Sequence, residues 1–199
     1  MNLTCMKARW LIIATIVTVP LGSFGQGTLN FSNLAGVGTR AVDAPVTNAA
    51  GIRIVGPGPY VADLFWSSNT NSSVDSLTPA GFDVPFSTST LYGGGYFIGA
   101  SRTLPAVAWI LAQVRVWDTT YGASYAQARD AGGEFGSSNP IIVLLTIPPG
   151  PPADLLGLQG FQLERIPEPT AAALTLIGGA ALWLCRRMAY KAASARERK

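Results

Sequence analysis

Apolar residues along this chain fall into two regimes. At the ends they run together without charge, in "WLIIATIVTVP" from Trp10 and in "AAALTLIGGAALWLC" from Ala171. Between the ends they come in short β-rich runs punctuated by Gly, Pro, Asn and Ser, with almost no helical periodicity. That punctuation predicts strands joined by turns. The strand candidates are "TLNFSN" from Thr28, "IRIV" from Ile52, "YVADLFW" from Tyr60, "GYFIGA" from Gly95, "AVAWILAQVRVWD" from Ala106, "IIVLLTI" from Ile141 and "LLGLQGFQL" from Leu155. In "ILAQVRVWD" the alternation is strict: Leu111, Gln113, Arg115 and Trp117 lie on one side, Ala112, Val114 and Val116 on the other. Period two puts the small and branched set in the core and leaves Gln113 and Arg115 in solvent. In "YVADLFW" the residues Tyr60, Ala62, Leu64 and Trp66 share one side, which reads Trp66 as core at least as readily as ligand platform.

One helix is predicted, over 125–131. In "GASYAQARDAGG" Ser124 stands three residues before Gln127, the spacing of a reciprocal capping box, and Gly132 and Gly133 can supply a left-handed end. "SSNTNSSVDSLTPAG" from Ser67 has almost nothing to bury and reads as an exposed loop. "PPGPPADL" from Pro148 reads as a stiff connector. Gly93, Gly94 and Gly95 have neither the lysine nor the following helix of a phosphate loop, so they read as a turn or bulge. Several short strands in one region of this size favour an all-β fold, an antiparallel β-sandwich of jelly-roll or Ig-like type with one short helix.

The apolar ends divide the chain. Lys7 and Arg9 precede a run of about a dozen apolar residues, and the small residues Ser23 and Gly25 follow it; this is the layout of a secretory signal peptide. Residues 1–25 are therefore assigned to the signal peptide, with cleavage between Gly25 and Gln26. Residues 26–165 form the exported domain, and 166–199 a terminal segment. Pro169 can open a helix. Running over about 169–188, that helix has about twenty residues and spans roughly 30 Å, the thickness of a bilayer's hydrocarbon core. Arg186 and Arg187 can then snorkel to the headgroups. The tail 186–199 carries six basic residues against Glu197, which keeps it inside and leaves the domain outside, tethered by its C-terminus.

Charge and composition change the picture in two ways. The whole chain is formally +3, but every lysine (Lys7, Lys191, Lys199) lies outside 26–165, where six arginines face nine acids. A mildly acidic exported domain argues against nucleic acid as a partner. Histidine is absent, and the only cysteines are Cys5 and Cys185, both outside the domain. Catalysis by Ser-His-Asp, Cys-His or Ser-Lys and His-bearing zinc sites are thereby excluded for it, as are disulfides. No D-x-D-x-D-G calcium loop is present either. Asp63, Asp75, Asp83, Asp118, Asp130 and Glu134 remain as candidates for a glycosidase pair, a role that requires two of them to share one cleft; surface acids are the plainer reading. Among Tyr60, Trp66, Tyr92, Tyr96, Trp109, Trp117, Tyr121 and Tyr125, Trp117 shares its side with Gln113 and Arg115 and is the candidate for a ligand-facing aromatic. No cofactor and no metal are expected.

Ile166-Pro167-Glu168-Pro169, the apolar helix with its Gly-Gly pair, and Arg186-Arg187 occur in that order at the end of a chain that opens on a signal peptide. Together they resemble the PEP-CTERM sorting signal of Gram-negative bacteria. The resemblance implies that Pro167, Glu168 and Pro169 are recognised by an exosortase, a membrane protease that cleaves near the motif. "QGTLNFSN", "DSLTPAG", "QVRVWD", "SNPIIV" and "LLGLQGFQL" are similar to the body of a group of small exported proteins that carry the same signal. The expectation is then a non-enzymatic protein of the cell surface or extracellular matrix, with exosortase and exopolysaccharide as partners in a biofilm setting. The alternatives are a carbohydrate-binding module of the same fold, and a permanently anchored single-pass protein that is never processed.

Overall fold

A computed structural model of the chain describes residues 25–36, 41–89, 91–106 and 108–166, together with five helical positions: Thr175, Gly179, Ala180, Trp183 and Arg186. In chain order the strands are Gly27–Ser32 (β1), Leu34–Ala35 (β2), Val42–Asp43 (β3), Val46–Thr47 (β4), Tyr60–Ser67 (β5), Thr78–Pro79 (β6), Val84–Pro85 (β7), Ile98–Leu104 (β8), Trp109–Asp118 (β9), Glu134–Ser137 (β10), Ile141–Leu144 (β11), Phe161–Gln162 (β12) and Glu164–Arg165 (β13). A six-residue helix, Tyr125–Asp130 (α1), joins β9 to β10. Over the described residues 25–166 the fold is all-β with one short α-helix, and its strand pairs are antiparallel except β4 with β12.

The longest ladder pairs β5 with β9, in register from Tyr60↔Asp118 to Ser67↔Leu111. β6 and β7 flank β5 on its other edge, while β10 and β11 take successive lengths of the far edge of β9, and β13 adds to β10. β1 pairs separately with β8. Alternation along the central ladder sends Ala62, Leu64, Ala112, Val114 and Val116 to one side, all buried, as the period-two pattern predicts. They join Leu29, Phe31, Phe97, Leu104 and Leu155 in the larger core. Tyr60 and Trp66 pack against it from the ends of the same side of β5. Phe97 centres an aromatic group, with its ring 4.9 Å from that of Phe31 and edge-on to Phe86.

The opposite side of β9 corrects the sequence reading. Gln113 and Trp117 are buried and Arg115 is half-buried, with Trp117 only 2% exposed. Trp117 belongs to a second core with Phe65, Leu77, Leu111, Ala128 and Phe135. Two elements cover this face. One is α1, capped by Ser124 Oγ accepting from the Gln127 N–H. Its reciprocal arm lands one residue early, because Gln127 Oε1 accepts from Ala123 N–H instead of Ser124 N–H. The helix ends in a Schellman turn, with Gly133 N–H donating to Ala128 O, Gly132 N–H donating to Arg129 O, and Gly132 at φ 73°. The other cover is the polar loop after Ser67, which buries more than its composition predicts: a 3-10 turn at Val74–Ser76 brings Val74 and Leu77 onto the face.

Three predicted strands shrink for visible reasons. "IRIV" keeps a single bridge, Arg53 to Thr47, because Ile54 is held from both sides by Val46 O and Gly95 N–H. The run from Gly95 becomes strand only at Ile98. At Gly95 itself φ is +86° and a Cβ would lie 3.0 Å from Val46 N, so the glycine turn lets two backbones meet. In the run from Leu155, Asn139 ties Gly157 O and Gln159 N–H into a turn, and strand resumes only at Phe161.

Asn33, fully buried, joins these segments: its Nδ2 donates to Ala44 O and Gly95 O, and its Oδ1 accepts from Phe97 N–H. Asn33→Ala leaves two buried backbone groups, Ala44 O and Phe97 N–H, unsatisfied, since Gly95 O keeps the Val46 N–H, at about 1–3 kcal/mol for each such group. We expect a destabilisation of about 2 kcal/mol or more in urea unfolding; a change below about 1 kcal/mol would mean that water replaces the amide.

Candidate functional site

Between α1 and the 3-10 turn the outer face of the central ladder opens into a cleft of about 450 Å³. β5 and β9 supply Phe65, Arg115 and Trp117 to its lining, beside Asp75, Tyr125 and Arg129. A smaller cavity of about 150 Å³ shares Asp75, Arg115, Tyr125 and Arg129 with it. Arg115 is the centre. Its guanidinium carbon lies 4.3 Å from the Phe65 ring centre and 5.1 Å from that of Tyr125. Its Nε donates to Gln113 Oε1 and its Nη2 to Val74 O. Burial pushes the guanidinium below its ordinary value, though an arginine this far from neutral pH keeps its charge. The Gln113 amide is fixed in turn by donating to Ser138 O.

Of the six acids, the structure brings Asp63, Asp75 and Asp83 to this cleft. Asp63 is buried and committed to backbone: Oδ1 accepts from Leu64 and Phe82 N–H, Oδ2 from Gly81 N–H. It therefore sets the turn that forms one wall. Burial and the neighbouring Asp63 push the Asp83 carboxyl above the usual range. The other three lie elsewhere. Asp118 accepts from Thr120 N–H and Oγ1–H, Asp130 pairs with Arg129, and Glu134 Oε2 accepts from Ala49 N–H and Tyr60 O–H. Among the described residues no group of three or more His, Cys, Asp or Glu is arranged to hold a metal ion.

Trp117, the predicted ligand-facing aromatic, is a buried residue in the wall of this cleft. The reason is the cover: Gln113 and Arg115 look solvent-facing in sequence, but α1 and the 3-10 turn close over them. Of the Trp and Tyr candidates, Tyr92, Trp109 and Tyr121 are the exposed ones. Trp109, 54% exposed, lines a second and largely apolar groove of about 570 Å³ with Ile142, Leu144, Pro151 and Pro152. Sequence reasoning also missed Phe65 and Tyr125 as neighbours of Arg115. Val61 and Phe65 on the outward side of β5, on the same face of the ladder as Leu111 and Trp117 of β9, were the available signal that this face has an apolar cover.

Gly25 and Gln26 directly precede β1, and Gln26 is exposed. Residues 1–24, the motif Pro167, Glu168 and Pro169, and Arg187 lie outside the described residues; Arg186 is helical and exposed. Among the described residues no helix is long and apolar enough to cross a membrane. No protein-family model, curated protein or solved structure matches the chain.

Burial, and then the hydrogen bond to Glu134, raises the Tyr60 phenol far above its ordinary value. Burial raises Tyr96 and Tyr125 as well. An unfolded tyrosine ionises near pH 10, where these folded ones keep their protons. Stability is therefore intact below about pH 10 and falls as pH rises towards the folded values. We expect the urea midpoint to drop between about pH 9 and 11, and Tyr60→Phe to flatten the drop; an unchanged slope in that variant would contradict the Tyr60–Glu134 assignment.

Proposed function

We propose that the chain is an exported, exosortase-sorted protein of the cell surface or extracellular matrix, whose domain has a structural or interaction role and no catalytic one. The observation that carries this reading is where the fold begins and ends relative to the two processing points read from sequence. β1 opens at Gly27, one residue after Gln26. β13 closes at Arg165, two residues before Pro167, and Ile166 between them is exposed. Arg165 is well tied, its Nε donating to Gly132 O and its Nη2 to Tyr121 Oη. Cuts at both points would thus leave every strand pair among the described residues intact. We read the all-β domain as a sandwich, because Leu29 and Phe31 of β1 and Leu104 of β8 share one core with the inner side of β5 and β9.

The test is intact mass of the protein from envelope and medium, in cells with and without exosortase. A product that starts near Gln26 and ends near Pro167, and that disappears without exosortase, is the expected result. A full-length membrane form unchanged by loss of exosortase would overturn sorting and leave a permanent anchor.

A further inference from the structure

The cleft around Arg115 holds polar groups that the fold itself does not use. Arg115 forms no ion pair among the described residues, and its two hydrogen bonds leave three of its five N–H groups free of protein acceptors. Trp117, 98% buried in the cleft wall, has an indole N–H with no hydrogen-bond partner, one of two such buried side-chain atoms among the described residues. A buried donor without an acceptor is costly and uncommon enough to need an explanation. The acceptors stand across from these donors: Asp75 and Asp83 are exposed on the same cleft. Tyr125 and Phe65 supply apolar ring surface beside them.

This set selects a ligand class. A free anion would meet Asp75 and Asp83, and a cation would meet Arg115 and Arg129. A neutral ring that carries many hydroxyls can donate to the carboxylates, accept from the guanidinium, and lay its C–H face on an aromatic ring. A volume of about 450 Å³ falls within the ordinary range of small-molecule sites, and the adjoining cavity lengthens the cleft past Arg115 and Tyr125. We propose that this cleft binds a neutral saccharide chain, with Arg115 as donor, Asp75 and Asp83 as acceptors, and Tyr125 as the ring platform. The site does not rest on the sorting proposal, since a permanently anchored protein would present the same cleft.

The test titrates the full chain calorimetrically with linear hexasaccharides of glucose, of mannose and of N-acetylglucosamine, and with a hexuronate. At least one neutral chain should bind with Kd of about 1 mM or tighter. Asp75→Asn and Asp83→Asn, at exposed positions, should each weaken it at least tenfold without moving the thermal midpoint; Tyr125→Leu should weaken it at least tenfold and also lower the midpoint, because that ring packs against the second core. Trp109→Ala, in the other groove, should leave affinity unchanged. The proposal is overturned if no neutral chain binds, if only the hexuronate binds, or if Trp109→Ala abolishes binding that the two Asn variants retain.

Discussion

Eight consecutive residue pairs between β5 and β9 hold both faces of this protein in place. A strand that buries only one side can slip without penalty on the other, but here a one-residue slip would expose Ala112, Val114 and Val116 and also eject Leu111 and Trp117 from the second core. The register is therefore doubly specified. Everything outside the ladder is arranged by it: β10 and β11 on one edge, β6 and β7 on the other, β1 and β8 against the inner side, α1 against the outer.

Irregular segments are then fixed by a few buried polar side chains aimed at backbone. Asn33 gathers Ala44, Gly95 and Phe97; Asp63 gathers Leu64, Gly81 and Phe82; Ser138 accepts from Val114 N–H. Each takes over hydrogen bonds that a sheet would otherwise supply, so long loops can cross the core without leaving buried groups unpaired. A domain with no cysteine between residues 26 and 165 needs such devices, because no disulfide limits the loops. The Arg115 cleft stands out against this background, since there the buried Trp117 indole N–H has no hydrogen-bond partner.

How legible this was in sequence varied by element. The inner faces of β5 and β9 were readable because period two depends only on the local chain, and α1 was readable because its cap and its Gly132–Gly133 end are encoded within a dozen residues. The outer face was not. Gln113 and Arg115 carry the marks of solvent exposure, and nothing local says that Val74, Leu77 and Tyr125, brought from separate loops, will cover them. "IRIV" and "LLGLQGFQL" failed for a similar reason: both are apolar enough for strands, but Gly95 and Asn139, distant in sequence, capture their backbone groups. Of the candidate site, the acids Asp63, Asp75 and Asp83 could be named beforehand, whereas their convergence could not. The sorting motif is the reverse case, legible as a motif and lying outside the described residues.

The outer side of β9 is thus interior, roofed by α1 and the 3-10 turn, and that roof makes the cleft. Hydroxyl-radical footprinting of the native protein, read by mass spectrometry at Trp109 and Trp117, tests the roof directly, because both residues lie on the same side of one strand. Rapid oxidation of Trp109 with strong protection of Trp117 is the predicted result. Equal oxidation of the two would contradict the roof and return Trp117 to an open sheet face.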